Sequence, residues 1–221
     1  LLNQDEVTLG DIFLDAGYET GLFGKWHLGD NYSFLPEQRG FKKTFYHKGG
    51  GVGQTPDYWN NNYQDDIYFR NGEPEESNGY CTDVFFDEAI SFINENKENP
   101  FLCFLSLNAP HSPFNVPKEY YELYENEIDL LESQKRFYGM ITNIDDNFGR
   151  LHQHVENLGI LDNTIIIFTT DNGTSNGYKY SRKDKKWLGF NAGMRGTKTS
   201  EYDGGHRVPF IIKWKKGGLF G

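Results

Sequence analysis

The stretch Phe101-Leu102-Cys103-Phe104-Leu105-Ser106-Leu107 decides the fold. Pro100 stands before it and Asn108-Ala109-Pro110 after it, so the run is short and sharply bounded. A short apolar run without polar alternation reads as a strand covered on both faces, the mark of a parallel sheet. Upstream, Phe86, Ala89, Ile90 and Ile93 share one face of a helix that starts at Thr82. Earlier still, Leu9, Ile12, Phe13 and Ala16 fall at i, i+3, i+4 and i+7. Asp5 or Thr8 can cap that helix and Gly17 can stop it, before a short strand at Tyr18 to Phe23. Downstream, Pro117 suits the first turn of a short helix through Tyr124. The longest helix is marked by Phe137, Met140, Ile141, Ile144, Phe148, Leu151, Val155 and Leu158, with Gly159 closing it. Ile165-Ile166-Ile167-Phe168 repeats the buried-strand pattern within Thr164 to Thr169. Val208 to Trp214 reads as a last strand, open to antiparallel pairing because no clear crossover helix precedes it.

This alternation predicts an α/β fold with a mostly parallel central sheet flanked by helices on both faces. Residues 30–79 read as an irregular, insertion-like loop region, with Gly49-Gly50-Gly51 and Asn60-Asn61-Asn62 and no sustained period. At its far end Asn71-Gly72 can turn a hairpin between Asp66–Arg70 and a short partner.

The composition excludes several classes. Among 221 residues, 22 Lys and Arg stand against 32 Asp and Glu, a net charge of −10, which argues against a nucleic-acid partner. Four Trp, 14 Tyr and 18 Phe argue against a disordered chain. The longest apolar run, Phe101 to Leu105, is far too short for a membrane span. Cys81 and Cys103 cannot make a disulfide framework. The chain opens Leu1-Leu2-Asn3-Gln4 and stops at Gly221 just after the last predicted strand. It is therefore expected to be one part of a domain, 1–221, truncated at both ends.

Three polar motifs follow three predicted strands. They are Gly24-Lys25-Trp26-His27, Asn108-Ala109-Pro110-His111-Ser112-Pro113 and Thr170-Asp171-Asn172-Gly173. Ligands of open parallel sheets bind beyond the carboxyl ends of the strands, so Lys25, His27, His111, Asp171 and Asn172 are expected to gather at one edge. Lys25 and the two imidazoles suit a tetrahedral oxyanion and the movement of a proton. Asp171 and Asn172 offer hard oxygen ligands suited to Ca²⁺ or Mg²⁺, although two ligands fall short of the six to eight Ca²⁺ takes. Trp26, Trp59, Trp187 and the Tyr-rich 58–80 loop could stack on sugar or aryl rings, with packing of the loop the favoured reading. Lys183, Lys185 and Lys186 read as a solvated loop.

Taken together, these motifs resemble the type I, formylglycine-dependent sulfatases of the alkaline phosphatase superfamily. Gly17-Tyr18-Glu19-Thr20-Gly21-Leu22-Phe23-Gly24-Lys25-Trp26-His27-Leu28-Gly29 resembles their second signature. Phe101 to Pro113 resembles their strand and His-x-Pro loop, and Ile166 to Gly173 their metal-binding Asp-Asn turn. Arg195-Gly196-Thr197-Lys198 with Tyr202-Asp203-Gly204-Gly205-His206-Arg207-Val208-Pro209 resembles their late lysine and Gly-Gly-x-Arg-x-Pro segment. The resemblance runs nearly end to end and is weakest through residues 30–79.

The resemblance implies an alkaline phosphatase-like fold and metal-assisted hydrolysis of a sulfate ester, on a sulfated carbohydrate or an aryl sulfate. It implies catalytic roles for Lys25, His27, His111 and Lys198. Of these, Lys25, His111 and Lys198 would hold sulfate, and His111 would be the proton donor to the leaving alcohol. It implies Asp171 and Asn172 as ligands of a divalent cation, usually Ca²⁺, with Mg²⁺ the alternative. Arg207 is expected to be structural, an ion pair supporting the Gly204-Gly205 turn. Enzymes of this kind are exported, to the periplasm, the medium or the lysosome. The departure is the nucleophile: neither Cys81-Thr82-Asp83 nor Cys103-Phe104-Leu105 fits the Cys/Ser-x-Pro/Ala-x-x-Arg motif that becomes formylglycine. The chain alone is thus expected not to turn over substrate. Two other readings stay open: a phosphodiesterase or phosphonate hydrolase of the same superfamily, and a non-catalytic homologue that binds sulfated glycans.

Overall fold

The computed structural model describes residues 2–219. The chain divides into two compact units: Leu1–Asn115 with Ile144–Leu158, and Val116–Asn143 with Gly159–Gly221.

The first unit holds α1 (Leu9–Asp15), β1 (Glu19–Lys25), β2 (Lys43–His47), β3 (Ile67–Arg70), β4 (Glu73–Glu76), α2 (Cys81–Asn96) and β5 (Phe101–Ser106). Its five strands make one sheet in the order β4-β3-β2-β1-β5. β1 is parallel to β2 and to β5, while β3 is antiparallel to both β2 and β4. Four strands therefore share a direction and only β3 opposes them, the mostly parallel α/β sheet that the sequence predicts.

Aromatic packing holds this sheet. Phe23 of β1 meets Phe92 of α2 at 5.5 Å between centroids, and Phe45 of β2 meets Tyr68 at 5.7 Å and Phe85 at 6.3 Å. Leu22, Trp26, Phe41 and Tyr46 form a second buried cluster. Each of these side chains contributes about 2 kcal/mol by leaving water. Arg70 is bidentate to Glu88 of α2 at 2.8 Å and bonds Glu75 at 2.7 and 2.9 Å, pinning the β3–β4 hairpin to that helix. The hairpin turns at Asn71-Gly72 with φ of 48° and 89°, as the sequence predicts.

Three expectations are corrected here. Residues 30–79 supply β2, β3 and β4, and β2 lies inside the sheet beside β1. Aromatic residues at Phe45 and Tyr46 give β2 a buried side chain on each face, a pattern too short for periodicity to reveal. Second, β5 is not covered on both faces: it is an edge strand among the described residues, and Phe104 is 42% exposed. Third, α1 turns Leu9 and Ile12 outward and docks through Gly10, where a Cβ would lie 2.3 Å from the Arg39 carbonyl oxygen. Its capping box from Thr8 to Asp11 is present.

The second unit holds α3 (Lys118–Glu122), the first part of α4 (Glu132–Asn157), β6 (Ile166–Thr169), β7 (Tyr178–Ser181), β8 (Lys186–Gly189), α5 (Asp203–His206) and β9 (Phe210–Lys213). α4 belongs to this unit through Asn143 and to the first unit from Ile144. Pro117 caps α3 rather than sitting inside its first turn. β6 pairs only with β9 among the described residues, antiparallel, and β7 pairs with β8. Ile167 and Phe168 of β6 are exposed rather than buried, against the expectation of a strand covered on both faces. No helix among the described residues is long and apolar enough to cross a membrane.

Candidate functional site

In the first unit, parallel pairing places the ends of three strands side by side. Lys25, the last residue of β1, is in register with His47, the last residue of β2. Gly24 is in register with Ser106 at the end of β5, and Ser106 Oγ donates to the Lys25 carbonyl at 2.7 Å. His27 and His111 follow β1 and β5 by two and five residues. The loop after β2, which carries Gly49-Gly50-Gly51, lies against both rings. A Cβ on Gly50 would sit 3.2 Å from His27 Cε1, and one on Gly51 would sit 3.0 Å from His111 Nδ1. The missing side chains let the backbone approach both rings.

Side chains fix these loops. Asn108 Oδ1 accepts from Val52 N at 3.1 Å, and the Tyr63 hydroxyl donates to the His111 carbonyl at 3.0 Å. Asp57 accepts from Gly53 N at 2.7 Å and from Asn61 Nδ2 at 3.1 Å. Asp66 accepts from the Asn62 and Tyr63 amides and the Tyr68 hydroxyl at 2.7 to 2.9 Å. The loop region is thus a hydrogen-bonded frame, and its carboxylates are used inside it. Burial pushes both the Asp57 and the Asp66 carboxyl up, against the hydrogen bonds that pull them down.

His47 is the residue that sequence reasoning missed. It is fully buried, and its Nδ1 donates to the Lys48 carbonyl at 2.9 Å. A carbonyl only accepts, so the proton is on Nδ1, and the buried Nε2 has no hydrogen-bond partner among the described residues. Burial first, then the charges of Lys25, His111 and His27, push its pKa down to about 3. The available signal was syntactic: Phe45-Tyr46-His47 before Gly49-Gly50-Gly51 repeats the apolar-strand, basic-residue, glycine pattern of the β1 end.

His111 has its Nδ1 on the Ser112 carbonyl at 2.7 Å, which assigns the proton to that nitrogen. His27 is exposed, and Lys25 is half-buried. The first unit therefore brings Lys25, His27 and His111 together.

Asp171, Asn172 and Lys198 lie in the second unit, brought together by backbone. Gly173 N donates to Gly205 O at 2.9 Å, and Lys198 N donates to Thr174 O at 2.9 Å. A Cβ on Gly173 would lie 1.9 Å from the Gly204 oxygen, so glycine is required for the two turns to meet. Asn172 Nδ2 donates to the Gly173 carbonyl at 3.0 Å, leaving Oδ1 as the amide's acceptor beside the exposed Asp171 carboxylate. These are two hard oxygen donors, which fit a divalent cation as part of a larger shell. Among the described residues no cluster of three or more His, Cys, Asp or Glu completes one. Arg207 pairs with Asp203 at 3.6 Å across the Gly204-Gly205 turn, with both side chains largely exposed.

Both cysteines are free. Burial pushes the Cys81 thiol up, and pushes the Cys103 thiol up to about 12, so neither is poised as a nucleophile. Of the aromatic candidates, Trp26 is buried with its Nε1 donating to the Phe34 carbonyl at 2.8 Å, and Tyr63, Tyr68 and Tyr80 are buried. Trp59 and Trp187 are exposed.

The sulfatase family model matches residues 1–219. The chain is 27% identical to the uncharacterized sulfatase YdeN of Escherichia coli, over 95% of this chain and 39% of that protein. It is also 27% identical to an arylsulfatase of Hemicentrotus pulcherrimus, over 96% of this chain and 39% of that protein. Among solved structures, Ps i-CgsB in complex with k-i-k-neocarrahexaose superposes with a TM-score of 0.79 at 27% identity, over 97% of this chain and 48% of that one. The chain thus spans about two fifths of the length of the curated relatives it matches.

Proposed function

We propose that this chain, which belongs to the sulfatase family, supplies the anion-holding side of a sulfuric ester hydrolase. The carrying observation is the convergence of Lys25, His27 and His111 at the ends of parallel strands around a buried, neutral His47. Lys25, His27 and His111 at one sheet edge are basic side chains of the kind that suit an anionic ligand.

In this reading, Lys25 and Lys198 hold non-bridging sulfate oxygens and offset the charge that grows on them as the S–O bond breaks. His111, with Nδ1 fixed on a carbonyl, presents Nε2 as the proton donor to the leaving alcohol. His27 sits beside the nucleophile. The family carries a metal ion and a formylglycine in general. Asp171 and Asn172 would hold the ion through their hard oxygen donors, Ca²⁺ with Mg²⁺ the alternative. Bound there, it would neutralise charge on the sulfate. No residue of this chain is assigned as the nucleophile, since Cys81 is buried, Cys103 is partly buried, and both thiols have a raised pKa. A sulfated glycan is the proposed substrate class, supported by the carrageenan oligosaccharide named in the Ps i-CgsB complex. An exported location accompanies that reading.

The test is hydrolysis by the full-length protein of an aryl sulfate and the matching aryl phosphate, with and without a chelator. Metal-dependent turnover of the sulfate is expected, with Lys25→Ala lowering kcat/KM by about 10³-fold. Faster hydrolysis of the phosphate ester would instead make the protein a phosphohydrolase of the same superfamily.

A further inference from the structure

The β7–β8 hairpin contains none of the residues given a role in the proposed chemistry. Its stretch Tyr178-Lys179-Tyr180-Ser181-Arg182-Lys183-Asp184-Lys185-Lys186-Trp187 carries five cations against one carboxylate in a chain whose net charge is −10. Tyr180 is paired across the strands with Trp187, and Tyr178 lies diagonally from it, so all three side chains share one face. Tyr178 and Trp187 stack at 4.8 Å and 13°, and Tyr180 meets Trp187 edge-on at 5.7 Å. Trp187 is nevertheless 54% exposed and Tyr180 45% exposed. An aromatic cluster that is ordered by its own stacking yet open to water offers a flat apolar surface at little entropic cost.

The charges divide by position. Lys186 is held by Asp129 at 2.8 Å, and Lys179 reaches Asn176 at 3.3 Å. Arg182, Lys183 and Lys185 sit at the exposed tip, with no ion-pair partner among the described residues. The tip is shaped: Ser181 Oγ donates to Asp184 Oδ2 at 2.6 Å, and Lys185 takes φ of 51°. The base is anchored by Gln134 Nε2 donating to the Leu188 carbonyl at 2.9 Å and by the Tyr138 hydroxyl donating to the Gly177 carbonyl at 2.7 Å.

We infer that this hairpin is a second binding site, for a further sulfated sugar of a polysaccharide, outside the residues that hold the reacting ester. The choice of a sulfated glycan over other polyanions rests on the sulfatase reading. A pyranose ring lies on the exposed aromatic face while Arg182, Lys183 and Lys185 meet its sulfates. Such a site would hold the polymer without taking part in the chemistry.

The test measures binding of a κ-carrageenan oligosaccharide, its desulfated counterpart and a single-stranded DNA of equal charge to the full-length protein, with divalent ions chelated so that no turnover consumes the probe. Loss of three exposed cations predicts that the triple variant Arg182→Ser, Lys183→Ser, Lys185→Ser binds the sulfated probe about tenfold more weakly, with a flatter salt dependence. Trp187→Ala should weaken binding about fivefold and keep the salt dependence. Turnover of a small aryl sulfate should be unchanged in both variants. The triple change touches only the tip, so loss of fold does not explain its effect. Unchanged binding in both variants overturns the site. So does DNA bound as tightly as the sulfated sugar, which would make the hairpin a general polyanion surface. If the variants lose binding as expected while no sulfate ester is hydrolysed, the hairpin stands and the sulfatase reading falls. If aryl sulfate turnover is normal and polymer binding is unaltered in the variants, the sulfatase reading stands and the hairpin site falls.

Discussion

The cluster at the strand ends and the turn at Asp171-Asn172 are built by different means. In the first, three parallel strands bring Lys25, His27, His47 and His111 together, and side chains such as Asn108 and Tyr63 clasp the loops. In the second, glycine backbone rests on glycine backbone, Gly173 on Gly204 and Gly205, and the functional side chains are partly or fully exposed. The first is an electrostatic device, where a buried neutral imidazole stands among groups of positive charge. The second is a steric device, where the turns meet only because no Cβ intervenes. Perturbing charge should therefore matter most in the first, and adding volume should matter most in the second.

The largest expected effect lies in the first region. His111→Asn keeps an amide near the position of Nδ1 and removes the proton donor. With an alkyl or sugar sulfate, whose leaving group needs the proton, kcat should fall about 10³-fold. With a nitrophenyl sulfate, whose leaving group departs as an anion, the fall should be about tenfold. Equal losses on the two substrates would remove His111 from the role of acid.

Volume comes next. Gly173→Ala places a Cβ 1.9 Å from the Gly204 oxygen, where neither backbone can yield cheaply. Unfolding of the second unit should become easier by about 3 kcal/mol. Gly50→Ala meets only the side chains of Gln54 and His27, at 3.2 Å, and these can move. It should leave thermal unfolding nearly unchanged while lowering kcat/KM by displacing the His27 ring. Similar loss of stability in both variants would erase the contrast between the regions.

The same contrast explains what the sequence made legible. The helix at Cys81–Asn96, the long helix at Glu132–Asn157 and the Asn71-Gly72 hairpin were readable because periodicity and turn chemistry are local. The motifs Gly24-Lys25-Trp26-His27 and Asn108 to Pro113 pointed to one edge, because β1 and β5 are parallel neighbours. β2 was not readable. Its five residues show no period, and the two-residue alternation of Phe45 and Tyr46 gains meaning only when α2 covers one side and Trp26 and Phe41 cover the other. With β2 went His47, whose importance comes from burial beside Lys25 and not from any spacing along the chain. Lys198 was legible only through its family motif. It reaches Asp171 and Asn172 through the backbone bond to Thr174, which no local pattern encodes.

A smaller effect tests the electrostatic device itself. His47 has a folded pKa of about 3, below its unfolded value near 6.5. Between those values the unfolded chain binds the extra proton, so stability is present above pH 6.5 and is lost as pH falls toward 3. His47→Gln cannot titrate. From pH 7 to pH 5, the wild-type chain should lose about 2 kcal/mol that the variant does not, read as the difference of their denaturant midpoints. Parallel pH slopes for the two proteins would mean that the buried ring is not neutral in the fold.

The smallest effect belongs to the second region and separates its two late cations. Arg207 pairs with Asp203 at 3.6 Å, and both side chains are largely exposed. Exposed pairs of this kind contribute less than about 1 kcal/mol. Arg207→Gln should therefore change the melting temperature of the chain very little and leave aryl sulfate turnover within about twofold. Lys198→Gln, if that lysine holds a sulfate oxygen, should raise KM and lower kcat together. The two substitutions remove the same unit of charge from segments nine residues apart in the chain. Their difference measures position rather than net charge. A loss from Arg207→Gln as large as that from Lys198→Gln would move Arg207 into contact with the substrate, and the second region could then no longer be described as a steric frame carrying a single catalytic cation.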